Sequence, residues 1–253
     1  RAAMHFVVEA SSIVREPASW SDLTLGVECG GSDTTSGLVS NPVVGLVADR
    51  VVAAGGTVIL SETVEWMGAE DFLMRRASTP ELATRIRDVV KWYEDYAKSL
   101  GADLRGANPA PDNIAGGLST IEEKAIGAIR KGGSSPITGL IRFGERPATR
   151  GLVLMDAPAP AVENMTGLGA AGVQVVTFST GKGNPVGCPV APTIKVTGNP
   201  RTIARQADSI DVDASAVLTA GMSLETAADR LWAHLEQVLN GRFVKGEVLG
   251  DVE

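Results

Sequence analysis

The sequence predicts an α/β fold: a Rossmann-like, doubly wound, mainly parallel sheet with helices on both faces, built as one domain. Three observations predict it. Short apolar runs begin at Leu23, Thr57, Gly151, Val173 and Thr193, and stretches with apolar residues at helical spacing lie between most of them. Two of the runs end in glycine- and hydroxyl-rich turns, ECGGSDTTSG and FSTGKGNP, so a strand followed by a polar turn recurs without a repeat of fixed period. The carboxyl third reads as helix, and 253 residues suffice for one core that buries roughly three quarters of the unfolded surface.

Residues 1–22 read as a lead-in strand or linker, in which His5 is an incidental residue, and residues 23–253 as the domain proper. The run Leu23 to Val27 makes the first buried strand, and NPVVGLVADRVVAAG makes the first helix. Between them, Glu28 to Gly37 packs three glycines with Ser32, Thr34, Thr35 and Ser36 at a strand's carboxyl end. Glycine lets the backbone approach a ligand, and hydroxyls beside free helix amides suit an anion, although such clusters also make plain turns. Cys29, Glu28 and Asp33 favour the site reading. The β-branched run TVIL makes a second strand, with Glu62 and Glu65 just past it, either in the same crevice or capping the next helix, EWMGAEDFLMRRA.

Thr79, then Pro80 and Glu81, opens a long helix that Gly101 ends; its Trp92, Tyr93 and Tyr96 read as packing residues on a surface helix. Arg105 to Gly133 begins as a long irregular loop, a kind of segment that is usually functional or mobile in a compact domain. Its helix starts at a capping pattern, Ser119 and Thr120 with Glu122 and Glu123. Lys124 and Glu123 either enter a cleft or belong to a solvated helix start. After a polar connection containing GERPATR, GLVLMDAP makes a third strand, AVENMTGLGAAG a short helix, VQVVTFST a fourth strand and TIKV a fifth that carries Lys195. Thr180 and Lys182 lie in the turn after the fourth. The stretches NPRTIARQAD and SLETAADRLWAHLEQVLNG are amphipathic helices, with Trp232 and His234 as packing or surface residues; the tail after them is uninformative.

Composition removes several function classes. A hydrophobic share of 44% and a charged share of 21% exclude disorder, and a net charge of -7 argues against nucleic acid, which needs a surplus of Lys and Arg. The cysteines, Cys29 and Cys188, have no zinc or disulfide spacing, which fits a reducing cytoplasm. No apolar run approaches the ~18 residues of a membrane span. No GxGxxG or Walker loop supports a nucleotide. The chain opens on Arg1 without an initiator methionine, which reads as a piece of something longer.

Together, ECGGSDTTSG with NPVVG, GGTVILSETVEWMGAE, NPAPDNIAGGLSTIEEK, FSTGKGNPVG and PTIKV resemble the altronate and galactarate dehydratase family, from about Leu23 onward. The resemblance implies a sugar-acid dehydratase using a divalent metal, Fe²⁺ or Mn²⁺ with Mg²⁺ or Ca²⁺ as further options. It also implies a related branch, the large subunit of sulfolactate sulfo-lyase, which releases sulfite instead of water. Pro111-Asp112-Asn113 is similar to that branch, where sugar-acid dehydratases commonly read PGN. Full-length dehydratases carry a small amino-terminal domain and a middle segment, so the chain is similar to the carboxyl-terminal catalytic-type domain, with a missing amino-terminal domain or small subunit, or a further copy of the chain, as partner. On this resemblance Lys124, Glu123 and Glu62 are the candidate base and acid. Ser32, Ser36, Asn113, Thr180 and Lys195 would hold the anionic sugar-acid or sulfo-acid substrate. Cys29, Asp33 and Glu65 are the candidate metal ligands, with Cys29 equally readable as a small buried residue. A non-catalytic binding or assembly module is the competing class.

Overall fold

The structure is a computed structural model that describes residues 2–251. Helix α1 (Ala2–Ser11) and a single 3₁₀ turn at Trp20–Asp22 lead into β1 (Thr24–Cys29), so among the described residues the lead-in contains a helix and no strand. After a π-helical turn, Ser36–Ser40, come α2 (Asn41–Ala53) and β2 (Thr57–Leu60). The helix expected from Glu65 onward is instead a 3₁₀ turn, Thr63–Trp66, followed by the short α3 (Glu70–Met74). Gly68, at φ 87°, separates the two, and glycine adopts that backbone without a Cβ penalty. Next come α4 (Pro80–Ser99), α5 (Leu104–Ala107), α6 (Pro111–Ala115) and α7 (Ile121–Ile129). The two short helices α5 and α6 break up the segment expected to be wholly irregular.

The second half adds β3 (Ile137–Ile141), β4 (Gly151–Met155), α8 (Ala161–Ala170), β5 (Val175–Thr180) and β6 (Thr193–Thr197). Helix α9 (Pro200–Gln206), β7 (Val212–Asp213), α10 (Ala216–Thr219), α11 (Leu224–Leu239) and α12 (Lys245–Leu249) complete the chain. All seven strands are parallel, in the order β3-β4-β2-β1-β5-β6-β7, which is the doubly wound α/β arrangement. The two strands absent from the sequence reading, β3 and β7, are the sheet's edges. Edge strands bury less apolar surface and so show a weaker pattern.

The two faces of the sheet are covered unequally. Leu25, Val27, Val58 and Leu60 point to the larger core, where they meet Val43, Val44 and Val47 of α2, Ile86 of α4 and Leu231 and Leu235 of α11. Ile59, Met155, Val176 and Phe178 point the other way and pack on Met165 and Leu168 of α8, with Cys188 buried among them. The lead-in is tied to the domain by Trp20 stacked on Trp232 of α11, ring centroids 4.1 Å apart. Trp92 and Tyr96 instead stack on each other on the exposed side of α4.

Candidate active site

The chain leaves β1 for β2 on one side of the sheet and β5 for β6 on the other. The carboxyl ends of β1 and β5 therefore bound the crevice in which open α/β sheets hold their ligands. Register sets Cys29 beside Ser179 and Val27 beside Leu60, so Glu62 emerges two residues past β2 next to the end of β1. Gly31, at φ 63°, turns the chain back across the crevice, and Asp33 then starts the helix. Its Oδ1 accepts from the Ser36 N–H at 3.1 Å and the Thr35 hydroxyl at 2.7 Å, and its Oδ2 from Asn199 Nδ2 at 2.8 Å. Asp33 is thus a cap facing α9. Ser36 is bound into the same turn, its hydroxyl donating to the Asp33 carbonyl at 2.7 Å. The π-helical turn that follows belongs to a class often found at functional sites.

The centre of the site is Glu62. It is the one non-glycine residue with positive φ among the described residues, at φ 68° and ψ 64°, a conformation costing about 1–2 kcal/mol for a residue with a Cβ. Surrounding bonds hold it there: the Thr63 N–H donates to the Ala157 carbonyl at 2.9 Å, and the Glu65 N–H to the Glu62 carbonyl at 2.8 Å. The Glu62 side chain is 1% exposed and its Oε2 lies 2.6 Å from Lys131 Nζ, itself fully buried. Lys131 also donates to Cys29 Sγ at 3.3 Å, and Glu62 accepts from the Cys29 N–H at 3.3 Å and from its thiol at 3.5 Å. Burial pushes the Glu62 pKa up while the Lys131 ammonium draws it back. Burial also pushes the Cys29 thiol up, with the Glu62 charge adding to it. For Lys131 burial opposes the charge, but Cys29 and Glu62 together hold the ammonium above its usual range. Lys131 arrives on the 3₁₀ turn Arg130–Gly132, which can sit against α2 because Gly45 has no Cβ to meet the Arg130 carbonyl.

Glu28 lies on the other side of β1, fully buried, and accepts from Asn164 Nδ2, which also donates to Ser61 Oγ at 2.8 Å. Burial raises its pKa well above the carboxylate range, and the Glu62 charge adds to the effect.

A second ion pair lies nearer solvent. Lys124 Nζ is 2.8 Å from Glu65 Oε1 and donates to Asn108 Oδ1 at 2.7 Å, while Glu65 Oε2 is buried with no hydrogen-bond partner among the described residues. Glu62, Glu65, Lys124, Cys29 and Ser32 line one cavity of about 220 Å³. Asn113 closes its edge, its Nδ2 donating to the Ser32 carbonyl at 2.9 Å. The structure thus brings together six of the residues singled out from sequence, and leaves others outside. Glu123 is exposed at the start of α7, where its carboxylate accepts from the Ser119 N–H at 2.8 Å; those Ser119 bonds lower its pKa. It is a cap that does not line this cavity. Thr180 is buried below the crevice and accepts from the Gly183 N–H at 2.9 Å. Lys195 stands beside Phe178 on the face of the sheet turned to α8, with its Nζ donating to the Pro185 carbonyl at 2.7 Å. Ser36 and Asp33 border an adjoining groove instead.

The donors do not make a metal site by themselves. Among the described residues no three His, Cys, Asp or Glu side chains converge as a metal-binding group. Asp33 is committed to its helix and Asn199, and the charges of Glu62 and Glu65 are already met by two ammonium groups.

Over residues 20–253 the chain matches the family described as D-galactarate/Altronate dehydratase, C-terminal. It belongs to that family. It is 38% identical over its whole length to the (2R)-sulfolactate sulfo-lyase subunit beta of Chromohalobacter salexigens, covering 66% of that protein. It is 36% identical to the altronate dehydratase of Bacillus subtilis over 92% of the chain and 46% of the relative. The galactarate dehydratase (L-threo-forming) of Escherichia coli is likewise 36% identical, over 90% of the chain and 43% of the relative. The chain therefore spans between two fifths and two thirds of these relatives.

Sequence reasoning missed three partners in this dehydratase-family domain: Lys131, Asn108 and Asn164. Lys131 follows a helix and precedes Gly132-Gly133, a setting in which a lysine normally solvates the helix end. Its burial comes with the seating of this turn, whose Arg130 carbonyl approaches Gly45 of α2 and whose Gly132 lies against Leu60. Asn108, beside Pro109, lies in the irregular segment whose length and composition point to function or mobility.

Proposed function

We propose that this domain belongs to a lyase acting on a 2-hydroxy acid that carries a leaving group at C3. In the first reading it dehydrates a sugar acid such as altronate or galactarate to the 2-keto-3-deoxy acid. The observation that supports this is one small cavity holding a buried carboxylate, Glu62, and a separate ammonium group, Lys124. Glu62 is the base: burial raises its proton affinity, the Lys131 ammonium holds it, and its backbone fixes its direction. It takes the proton from C2, and the electron pair left behind forms the C2–C3 double bond as the C3 substituent departs with its own bonding pair. The enol so formed gains a proton at C3 and releases its hydroxyl proton to give the 2-keto acid. Lys124 supplies the proton that turns a departing hydroxide into water and is recharged through Glu65. Ser32 and Asn113 lie on the same wall, with Ser32 available to the substrate carboxylate. A further domain or subunit completes the cleft on this reading.

The second reading, loss of sulfite, rests on the identity to the sulfo-lyase subunit along the whole chain and on Asp112 in the cavity wall. The two readings separate chemically. Sulfite leaves as a stable anion and needs no proton, whereas hydroxide does. Lys124→Met is expected to lower water loss by about 10²- to 10⁴-fold, the usual worth of a positioned acid, and to leave sulfite release within a few-fold of wild type. The assay offers altronate, galactarate and sulfolactate to the intact enzyme, with and without Fe²⁺, Mn²⁺, Mg²⁺ or Ca²⁺. Turnover of none of the three would overturn the proposal.

A further inference from the structure

A second cavity, of about 570 Å³, opens at the carboxyl ends of β5 and β6 and shares no residue with the Glu62 cavity. Its volume lies in the range of small-molecule sites. Three cations line it: Lys182 from the turn after β5, and Arg201 and Arg205 from α9. The two arginines are four apart on a helix, so their side chains share a face. Among the described residues neither guanidinium has a hydrogen-bonding or ion-pair partner; Arg201 donates to Asn199 Oδ1 through its backbone N–H. The acid in the wall, Asp33, has both oxygens occupied by Thr35, Ser36 and Asn199 and does not reach for them. The remaining wall is uncharged, polar at Thr35, Asn199 and Gln206 and apolar at Pro200 and Leu218.

Such a concentration of positive charge contrasts with a chain of net charge -7. Lys182 Nζ stands 3.7 Å from Asp112 Oδ2, so the two unpaired guanidiniums carry most of the mutual repulsion, and the field they focus is relieved by an anion. Guanidinium forks match carboxylate and phosphate oxygens two at a time, and a pair of them suits a ligand with at least two acid groups. We infer that this cavity is an anion site separate from the Glu62 cavity, for a small polyanion bearing two or more carboxylate or phosphate groups. Occupancy reaches the other cavity through one residue. Lys182 Nζ donates to the Asp112 carbonyl, and Asp112 lines the Glu62 cavity, so an anion that takes the Lys182 ammonium loosens that tie.

The test is calorimetric titration of the protein with citrate and, separately, with pyrophosphate, at ionic strength held constant with NaCl. Wild type is expected to bind at least one of them saturably, and the stronger of the two names the acid group. Arg201→Gln with Arg205→Gln is expected to weaken that binding by at least about tenfold, as loss of charge-assisted bonds does, and Lys182→Gln to weaken it less. Glu62→Gln is expected to bind as wild type does, which separates this site from the proposed lyase chemistry. Both arginines are on the surface, and an unchanged melting temperature verifies that the double variant folds. Absence of saturable binding by wild type, or equal binding by the double variant, would overturn the inference.

Discussion

Two carboxyl edges of the same sheet look alike in sequence and differ in kind. Past β1 and β2, Cys29, Glu62 and Lys131 form a buried cluster in which an ion pair stands at the inner wall of a small cavity. Past β5 and β6, Thr180 and Asn199 stabilise turns around an open basic cavity, and Lys195 has crossed to the other face of the sheet. Both edges begin as a strand running into glycine and hydroxyl residues. What separates them is the partner brought from elsewhere: the turn after α7 inserts an ammonium at the first edge, whereas α9 leaves its arginines in solvent at the second. The difference teaches that a strand-end turn supplies a place, and a distant element decides whether that place is buried charge or open charge.

Removing the inserted cation gives the largest expected effect. Lys131→Met leaves the Glu62 charge buried and unpaired, at an expected cost of about 3–5 kcal/mol in urea unfolding. The double variant Lys131→Met with Glu62→Gln removes both charges and is expected to recover part of that loss. A double variant no more stable than Lys131→Met would show that the two residues are not coupled. At the rim of the same edge, Lys124→Met leaves the largely buried Glu65 without its donor and is expected to cost about 1–3 kcal/mol.

At the second edge the effects are smaller. Thr180→Val removes the acceptor for the Gly183 N–H and is expected to cost about 1 kcal/mol, read from the same unfolding curves. Lys195 is expected to act mainly through pH. Burial lowers its pKa from the ordinary 10.5, so just below that value the unfolded chain holds a proton that the folded chain has released. Its contribution to stability therefore rises with pH through that window. Lys195→Met is expected to flatten that part of the stability-pH curve, and an unchanged slope would mean that the amine is not desolvated in the fold.

The parts of the fold legible in the sequence were those with a strong local pattern. The buried central strands showed as β-branched runs, and α4 and α11 as capped amphipathic helices. Strands β3 and β7 escaped because edge position leaves little apolar contrast, and the lead-in helix because its exposed residues carry no face to read. In the site, Cys29, Ser32, Glu62, Glu65, Asn113 and Lys124 were legible because strand ends and helix starts place them. Lys131 was not, since its burial depends on a glycine in another helix. Asp33 and Glu123 lie outside this cavity for a common reason: acids at helix starts are as useful for capping as for chemistry, and both make capping bonds here.

On the proposed reading Glu62 removes the proton next to a substrate carboxylate. The direct measurement is deuterium incorporation from D₂O at C2 of altronate, galactarate and sulfolactate, followed by NMR with the intact enzyme and its Glu62→Gln variant. That variant keeps an oxygen for Lys131 but carries no base. Exchange or elimination with one of the three acids, reduced by about 10²-fold or more in a folded Glu62→Gln protein, is the predicted result. Equal rates in the two proteins would contradict the account.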